Sequence, residues 1–428
     1  MDLHPADGVY SNKPGCTQWH SKGVYQIPYR CMYSRNIRNL FLAGRDISVT
    51  HVAFGSTRVM ATCAHNAQAI GMASAMCRMH GLLPRDLLDK TLMRELQQRL
   101  LRSGQYIPEV AAEDAANLAR TARATASSCF TLDELKPSGD TVSLESARAM
   151  LVPAATGSFP RVTFRLDATQ DAEVEVQLRI AERTGNFTPD VILAQRTLPV
   201  TAGKNRTVTV DFETRLDRAQ YVFICLMACP QVQVYVSDQR VTGVLALVHG
   251  ANRKVAKSAV QRPPEGIGVE SFEFWIPERR PSGRNLAIAF DPPLELFAAV
   301  NVLQGPTRPT IQANAWVAAP DDPAPRLTLA WTQPQHIGQV ELVFDTDADH
   351  AMEPVQWGHP ESAMPFCVRH YRILDAHGAV LAECTDNHQA RNAIRLPAPV
   401  TTDRLVIECL ETCGGTPAAL FQVRCYST

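Results

Sequence analysis

The sequence contains no stretch of about 18 uncharged apolar residues, so no transmembrane helix is expected. It has no CxxC pair, no GxSxG and no GxGxxG. The first absence removes the usual zinc, redox and iron–sulfur spacings. The second removes the strained nucleophile turn of α/β-hydrolases. The third removes the turn on which a dinucleotide pyrophosphate rests; GIG at 266–268 sits in a Pro-rich stretch with no helix after it. An excess of one charge is also lacking, the formal net being -1. That gives no overall pull toward nucleic acid or an anionic membrane. The opening MDLHPADGVYSNKPGC has no charged-then-apolar leader pattern, which places the chain in the cytoplasm by default.

What is present fits a soluble globular chain, with 45% apolar and 20% charged residues. At about 150 residues per domain, 428 residues suggest two or three domains. The 12 cysteines have uninformative spacings, the nearest pairs being Cys225/Cys229 and Cys409/Cys413. They read as buried thiols. Charge is unevenly spread: residues 1–110 carry 13 Lys and Arg against 7 Asp and Glu, and the remainder 29 against 36. A basic front segment suits an anionic ligand, although solvated surface charge gives the same count.

From 36 to 104 the pattern is strand, loop, helix, helix. Leu40 to Ala43 is a short apolar run closed by Gly44, as in a buried strand. Gly55, Ser56 and Thr57 offer helix caps. The helix that follows runs to about His80 and stops at Gly81. Its Ala61, Ala64, Ala67, Ala69, Gly71, Ala73 and Ala75 predict close packing on several faces. Pro84 opens the next helical segment, where Leu92, Leu96 and Leu100 recur at four-residue spacing before Gly104.

After about 118, segments such as RVTFRLD (161–167), EVEVQLRIA (173–181), VQVYVS (232–237) and QVELVFD (339–345) alternate apolar and polar residues. That is the period of half-buried antiparallel strands, and many short ones with Pro and Gly punctuation predict β-sandwiches. The fold class expected is multidomain: a partial α/β segment over 1–112, then two mainly antiparallel β-sandwiches of jelly-roll type over 113–270 and 271–428. Their boundary falls somewhere in the Pro- and Gly-rich stretch 265–305. YVFICLMAC (221–229) and LVIECLETC (405–413) align at a fixed offset, which suggests a duplicated domain.

The run from Gly23 to Gly81 contains IPYRCMYSR, NLFLAGRDIS and THVAFGSTRVMATCA, and GQYIP follows at 104–108. These strings closely resemble the C-terminal part of the flavin-binding domain in a bacterial family of FAD-dependent oxidoreductases. The tail more loosely resembles the galactose-binding or discoidin-like sandwiches that some members carry. The resemblance implies FAD as cofactor. It places Ala43, Gly44 and Arg45 beside the ribityl chain. It places His51, Val52, Ala53, Gly55, Ser56 and Thr57 along the ring, with Arg58 adding positive charge. A helix start there would direct unpaired N–H groups at the flavin N1/C2=O edge. Where many flavoproteins have Gly-Asp, Arg45 follows Gly44 and Asp46 comes one residue later; GRD is taken as this family's variant.

In that family GxGxxG lies upstream of the matched region. The chain is therefore expected to be the C-terminal part of a longer or split enzyme, completed by an N-terminal FAD-binding half or a partner chain. By itself it should be inactive, with catalytic residues and substrate unassigned. The other reading is a non-catalytic glycan- or protein-binding sandwich module with a vestigial flavoprotein segment. Carbohydrate enters through the sandwich resemblance alone, as a possible substrate or glycan ligand. No metal site is expected: Asp345, Asp347 and Asp349 form DxDxD, but His350 and Gln356 stand where an EF-hand loop needs Gly and Glu. Cys31 reads as a packed thiol. Trp316, Trp331 and Trp357 read as core or loop packing rather than sugar platforms.

Overall fold

The computed structural model describes residues 2–3, 12, 17–18, 24–183, 185–250, 258–262, 271–278, 284–346 and 364–427. They fall into two compact units, 1–114 with 251–273 and 115–250 with 274–428. Among the described residues no helix is long and apolar enough to cross a membrane. GIG at 266–268, the later DxDxD positions, His350, Gln356 and Trp357 lie outside the described residues.

The first unit is built on three helices: α1 (His51–Thr57), α2 (Met60–His80) and α3 (Lys90–Arg102). Thr50 caps α1, its Oγ1 accepting from Ala53 N. Asp89 caps α3 by accepting from Thr91 N and Leu92 N. α2 stops at Gly81, whose φ of 66° is the left-handed conformation that Gly adopts at little cost. Ala73, Met76, Cys77, Leu87, Leu96 and Leu100 form the core between α2 and α3.

Three expectations are corrected in this unit. Residues 40–43 do not form a buried strand. Phe41 makes a single bridge to Tyr33, and Leu40 is exposed, because the segment meets a partner on one side only. The helix starts at His51 instead of Gly55, since Thr50 supplies the side-chain acceptor that Gly lacks. An extended Val59 then separates α1 from α2. Finally, α2 is not buried on several faces. Asn66, Ile70, Ala73, Met76 and Cys77 are buried, whereas Ala61, Ala64, Ala67, Gly71 and Ala75 are exposed. Among the described residues the burial runs along one face of the helix.

The second unit consists of two antiparallel β-sandwiches. In the first, a six-stranded sheet has Gln220–Leu226 near its centre, between Arg148–Ala154 and Ala172–Ile180. The opposing sheet is built around Arg161–Ala168, which pairs with Gly203–Val210, Val232–Ser237 and Ile288–Leu294. Val162, Phe164 and Leu166 alternate into the core between the sheets, where Val152 and Ile224 meet them. Gln220–Leu226 is apolar on both sides. Its Tyr221, Phe223 and Cys225 pack with Trp275 and Leu247 in a second cluster.

In the second sandwich two long strands, Arg326–Phe344 and Arg391–Thr412, pair along three stretches. Residues 326–330 lie against 404–408, residues 335–337 against 400–402 and residues 339–343 against 391–395, with register breaks between. Both strands run unbroken through one seven-stranded ladder, and the register breaks within them are where such strands bend. Trp316, Leu329, Leu342, Tyr371, Ile407 and Val423 fill the core.

Pairing crosses the expected cut at 270/271. Trp275–Pro277 and Ile288–Leu294 join the first sandwich, and Arg123–Ala126 joins the second by pairing with 327–330. Ala315, Val317, Val343 and Phe421 of the second sandwich also enter the first core cluster, which is why the two form one unit. The pairing schemes correspond. Val232–Ser237 lies between Thr141–Ser143 and Arg161–Ala168, as Ala419–Tyr426 lies between Trp316–Val317 and 339–344. The ladder neighbour of Gln220–Leu226, Ala172–Ile180, corresponds to Val368–Leu374, the ladder neighbour of 406–412. This shared order agrees with the repeat between 221–229 and 405–413.

Two stability predictions follow from the packing. Trp316 is fully buried and its indole N–H donates to Ser128 O at 2.9 Å. Trp316→Ala should lower unfolding free energy by about 3–5 kcal/mol in denaturant titration. Asp322 accepts from Ser127 Oγ and Ser128 Oγ at 2.6 Å each, and these hydrogen bonds hold its carboxyl below the ordinary 3.8. Its contribution is present above that value and is lost as pH falls through the lower folded one. Asp322→Asn should therefore flatten the acid limb of a melting-temperature-against-pH curve.

Candidate functional site

The three strings that carry the flavoprotein resemblance fold onto one another. The first, IPYRCMYSR, makes a tight turn over Tyr29–Met32. Cys31 O accepts from Ser48 N at 2.8 Å, and Met32 O accepts from Leu42 N at 2.8 Å. Half-buried Cys31 therefore braces the loop leading to α1 through its backbone. Tyr29 closes the turn from the other side, its hydroxyl donating to Pro84 O at 2.8 Å. Burial raises the Tyr29 phenol well above its ordinary range, with Cys77 and Tyr33 adding to the shift. GQYIP latches the same region: Gln105 Nε2 donates to His65 O at 2.8 Å, and Gln26 Nε2 to Pro108 O at 2.6 Å.

The central feature is Gly44. Its φ is +62°, and it opens a short 3-10 turn, Gly44–Asp46. Asn66 on α2, 3% exposed, holds that turn. Its Oδ1 accepts from Gly44 N at 3.0 Å, and its Nδ2 faces Gly44 O at 3.4 Å. One buried amide thus satisfies both backbone polar groups of the glycine. Sequence reasoning missed Asn66. A signal was available: Asn66, Ile70, Ala73 and Cys77 recur at helical spacing, so the amide belongs to the buried face and needs a partner there.

The expected site residues separate by exposure. Ala43, Arg45 and Asp46 are exposed around the Gly44 turn. His51, Val52 and Ala53 form the exposed first turn of α1. Gly55 and Thr57 are buried, and Ser56 and Arg58 are half-buried. Thr57 Oγ1 donates to Ala53 O at 3.2 Å, so its hydroxyl serves the helix. Thr50 was not anticipated, yet it defines the helix start. Its cap engages Ala53 N, leaving the His51 and Val52 N–H groups as the first-turn donors that an α-helix cannot pair internally.

Other candidates recede. Asp345 is buried and accepts from Thr242 Oγ1 at 2.7 Å, a tie between loops of the second unit. Among the described residues no group of three or more His, Cys, Asp and Glu is placed to hold a metal ion. Trp316 and Trp331 are buried, their indoles donating to Ser128 O and Leu118 O. Neither is a surface platform.

No curated protein matches the chain. Among solved structures it is similar to the family 32 carbohydrate-binding module of Streptococcus pneumoniae EndoD, at 12% identity over 31% of this chain and 86% of that one, with TM-score 0.25. It is similar to the family 32 module of C. perfringens NanJ, solved in complex with galactose, at 12% over 31% and 85%, TM-score 0.23. Chitosan-binding module 1 of a Paenibacillus chitosanase/glucanase gives 12% over 31% and 86%, TM-score 0.23. The chain beyond its helical front is built of antiparallel β-sandwiches, and the front itself, residues 1–100, matches the FAD dependent oxidoreductase family.

Proposed function

We propose that the first unit forms the ring- and ribityl-facing wall of an FAD site in a hydride-transfer oxidoreductase. The observation that carries this reading is the Asn66-clamped Gly44 turn, which lies with the exposed start of α1 in the region matching the flavoprotein family. FAD, when bound, would supply the hydride acceptor at N5. Ala43, Gly44 and Arg45 would border the ribityl chain, with the left-handed glycine leaving room for close backbone approach. The donors offered to the N1/C2=O edge shift from the expected Gly55 to His51 and Val52, because α1 begins there. Ala53, Gly55, Ser56 and Thr57 would form the supporting turn, and Arg58 would contribute positive charge. Buried Gly55 and Thr57 would act through packing.

The residues present fit the ring end of the cofactor and not its other end. No GxGxxG exists in the sequence, so in this reading the pyrophosphate cradle comes from outside these 428 residues. The purified chain should carry no stoichiometric FAD by absorbance. Recovering it yellow with one flavin per chain would overturn the shared-site reading. Co-expression with a neighbouring GxGxxG-bearing polypeptide should yield a flavin-loaded complex, and a colourless complex would defeat the assignment.

Asn66→Ala strips both partners from Gly44. It should cost about 1–3 kcal/mol of stability in the first unit, read as faster amide exchange over 42–48. It should also lower flavin recovery in that complex.

A further inference from the structure

Three cysteines that the flavin reading does not use converge in the second sandwich, where Val368–Leu374 begins and Arg391–Thr412 ends. Val368 pairs with Thr412 in the antiparallel ladder. One step beyond, Cys413 N donates to Cys367 O at 3.0 Å. Directly opposed residues in such a ladder have Cα atoms about 5.5 Å apart when hydrogen-bonded. Disulfides span Cα separations of about 4.4–6.8 Å. The approach is held tight by the next residues: Gly414 N donates to Pro365 O at 2.9 Å, and a side chain at Gly414 would collide with Pro365. Cys367 is buried and receives Asn387 Nδ2 at 3.3 Å, whereas Cys413 is half-buried. Cys413 is thus the more accessible residue of the two. The third, Cys384, lies opposite Tyr371 in the adjoining strand pair.

We propose that Cys367 and Cys413 are a thiol–disulfide exchange site, oxidised to a cross-strand disulfide by a small disulfide such as oxidised glutathione. The Cys413 thiol loses its proton and attacks one glutathione sulfur, breaking that S–S bond and releasing the first glutathione thiol. Cys367 then loses its proton and attacks the Cys413 sulfur, closing the protein disulfide and releasing the second. The two protein thiols give up two electrons and two protons, and the glutathione disulfide takes up both.

Burial raises the Cys367 thiol to about 12, with Cys413, Asp345 and Cys384 adding to the shift. Burial also raises Cys413, which Glu411 and Asp386 reinforce and Arg369 opposes. Thiolate is scarce at neutral pH, so exchange is slow there and quickens as pH rises. The bridge would pin the turn from Gly414 to Pro417, one wall of a groove of about 530 Å3 that Phe130, Lys136, Arg240 and Pro320 also line.

The test uses the full chain, incubated with oxidised glutathione at mildly alkaline pH, alkylated, digested and mapped by mass spectrometry without reduction. A cross-linked pair joining the Cys367 and Cys413 peptides is expected, unchanged in Cys384→Ser, with a higher melting temperature that reductant reverses. Alkylated Cys367 and Cys413, glutathione left on Cys413, or a Cys367–Cys384 link would each overturn the proposal. The readout is independent of flavin, so its failure leaves the flavin reading untouched.

Discussion

A glycine in the left-handed region presents its N–H and C=O in directions that neither helix nor strand can satisfy. In this chain the first unit is arranged around that constraint. Asn66 meets both groups of Gly44 from the buried face of α2. The turn it secures sets the path of the loop that ends at Thr50, and Thr50 decides where α1 begins. Cys31 and Met32 brace the same path from the other side through their backbone carbonyls. The first-turn donors, the half-buried glycine and the exposed residues beside it follow from this framework.

The second unit solves a different problem. Two sandwiches share apolar residues in one core, and strands are exchanged across the apparent boundary between them. Strand 123–126 is needed by the second sandwich before the first has begun, while 288–294 completes the first after the intervening Pro- and Gly-rich stretch. The corresponding pairing orders show one plan used twice. In the second use, strands that are separate in the first run on as the long strands 326–344 and 391–412. The thiol pair sits where one of those strands ends, a position created by the ladder and invisible in cysteine spacing.

Much of the fold was legible in the residues. The alternation in RVTFRLD places Val162, Phe164 and Leu166 in the core, and Gly81 ends α2 where expected. The helix starts at His51 and not at the Gly55 cap that the sequence suggests, because the side-chain oxygen that caps belongs to Thr50. The strand at 40–43 failed because an apolar run becomes a strand only when neighbours pair with it. The alanines of α2 allow close approach on several faces, yet residues within this unit occupy one.

The sequence by itself determined the classes of element, the helical front, the sandwich tail and the strings that carry the flavoprotein resemblance. These depend on local periodicity and on motif, which a linear chain displays. The tertiary structure alone decided that Asn66 serves Gly44, that residues 123–126 and 275–294 change places across the expected cut, and that Cys367 meets Cys413. Each joins residues far apart in the chain. Their separations are set by packing and ladder register, and neither is written in any single segment.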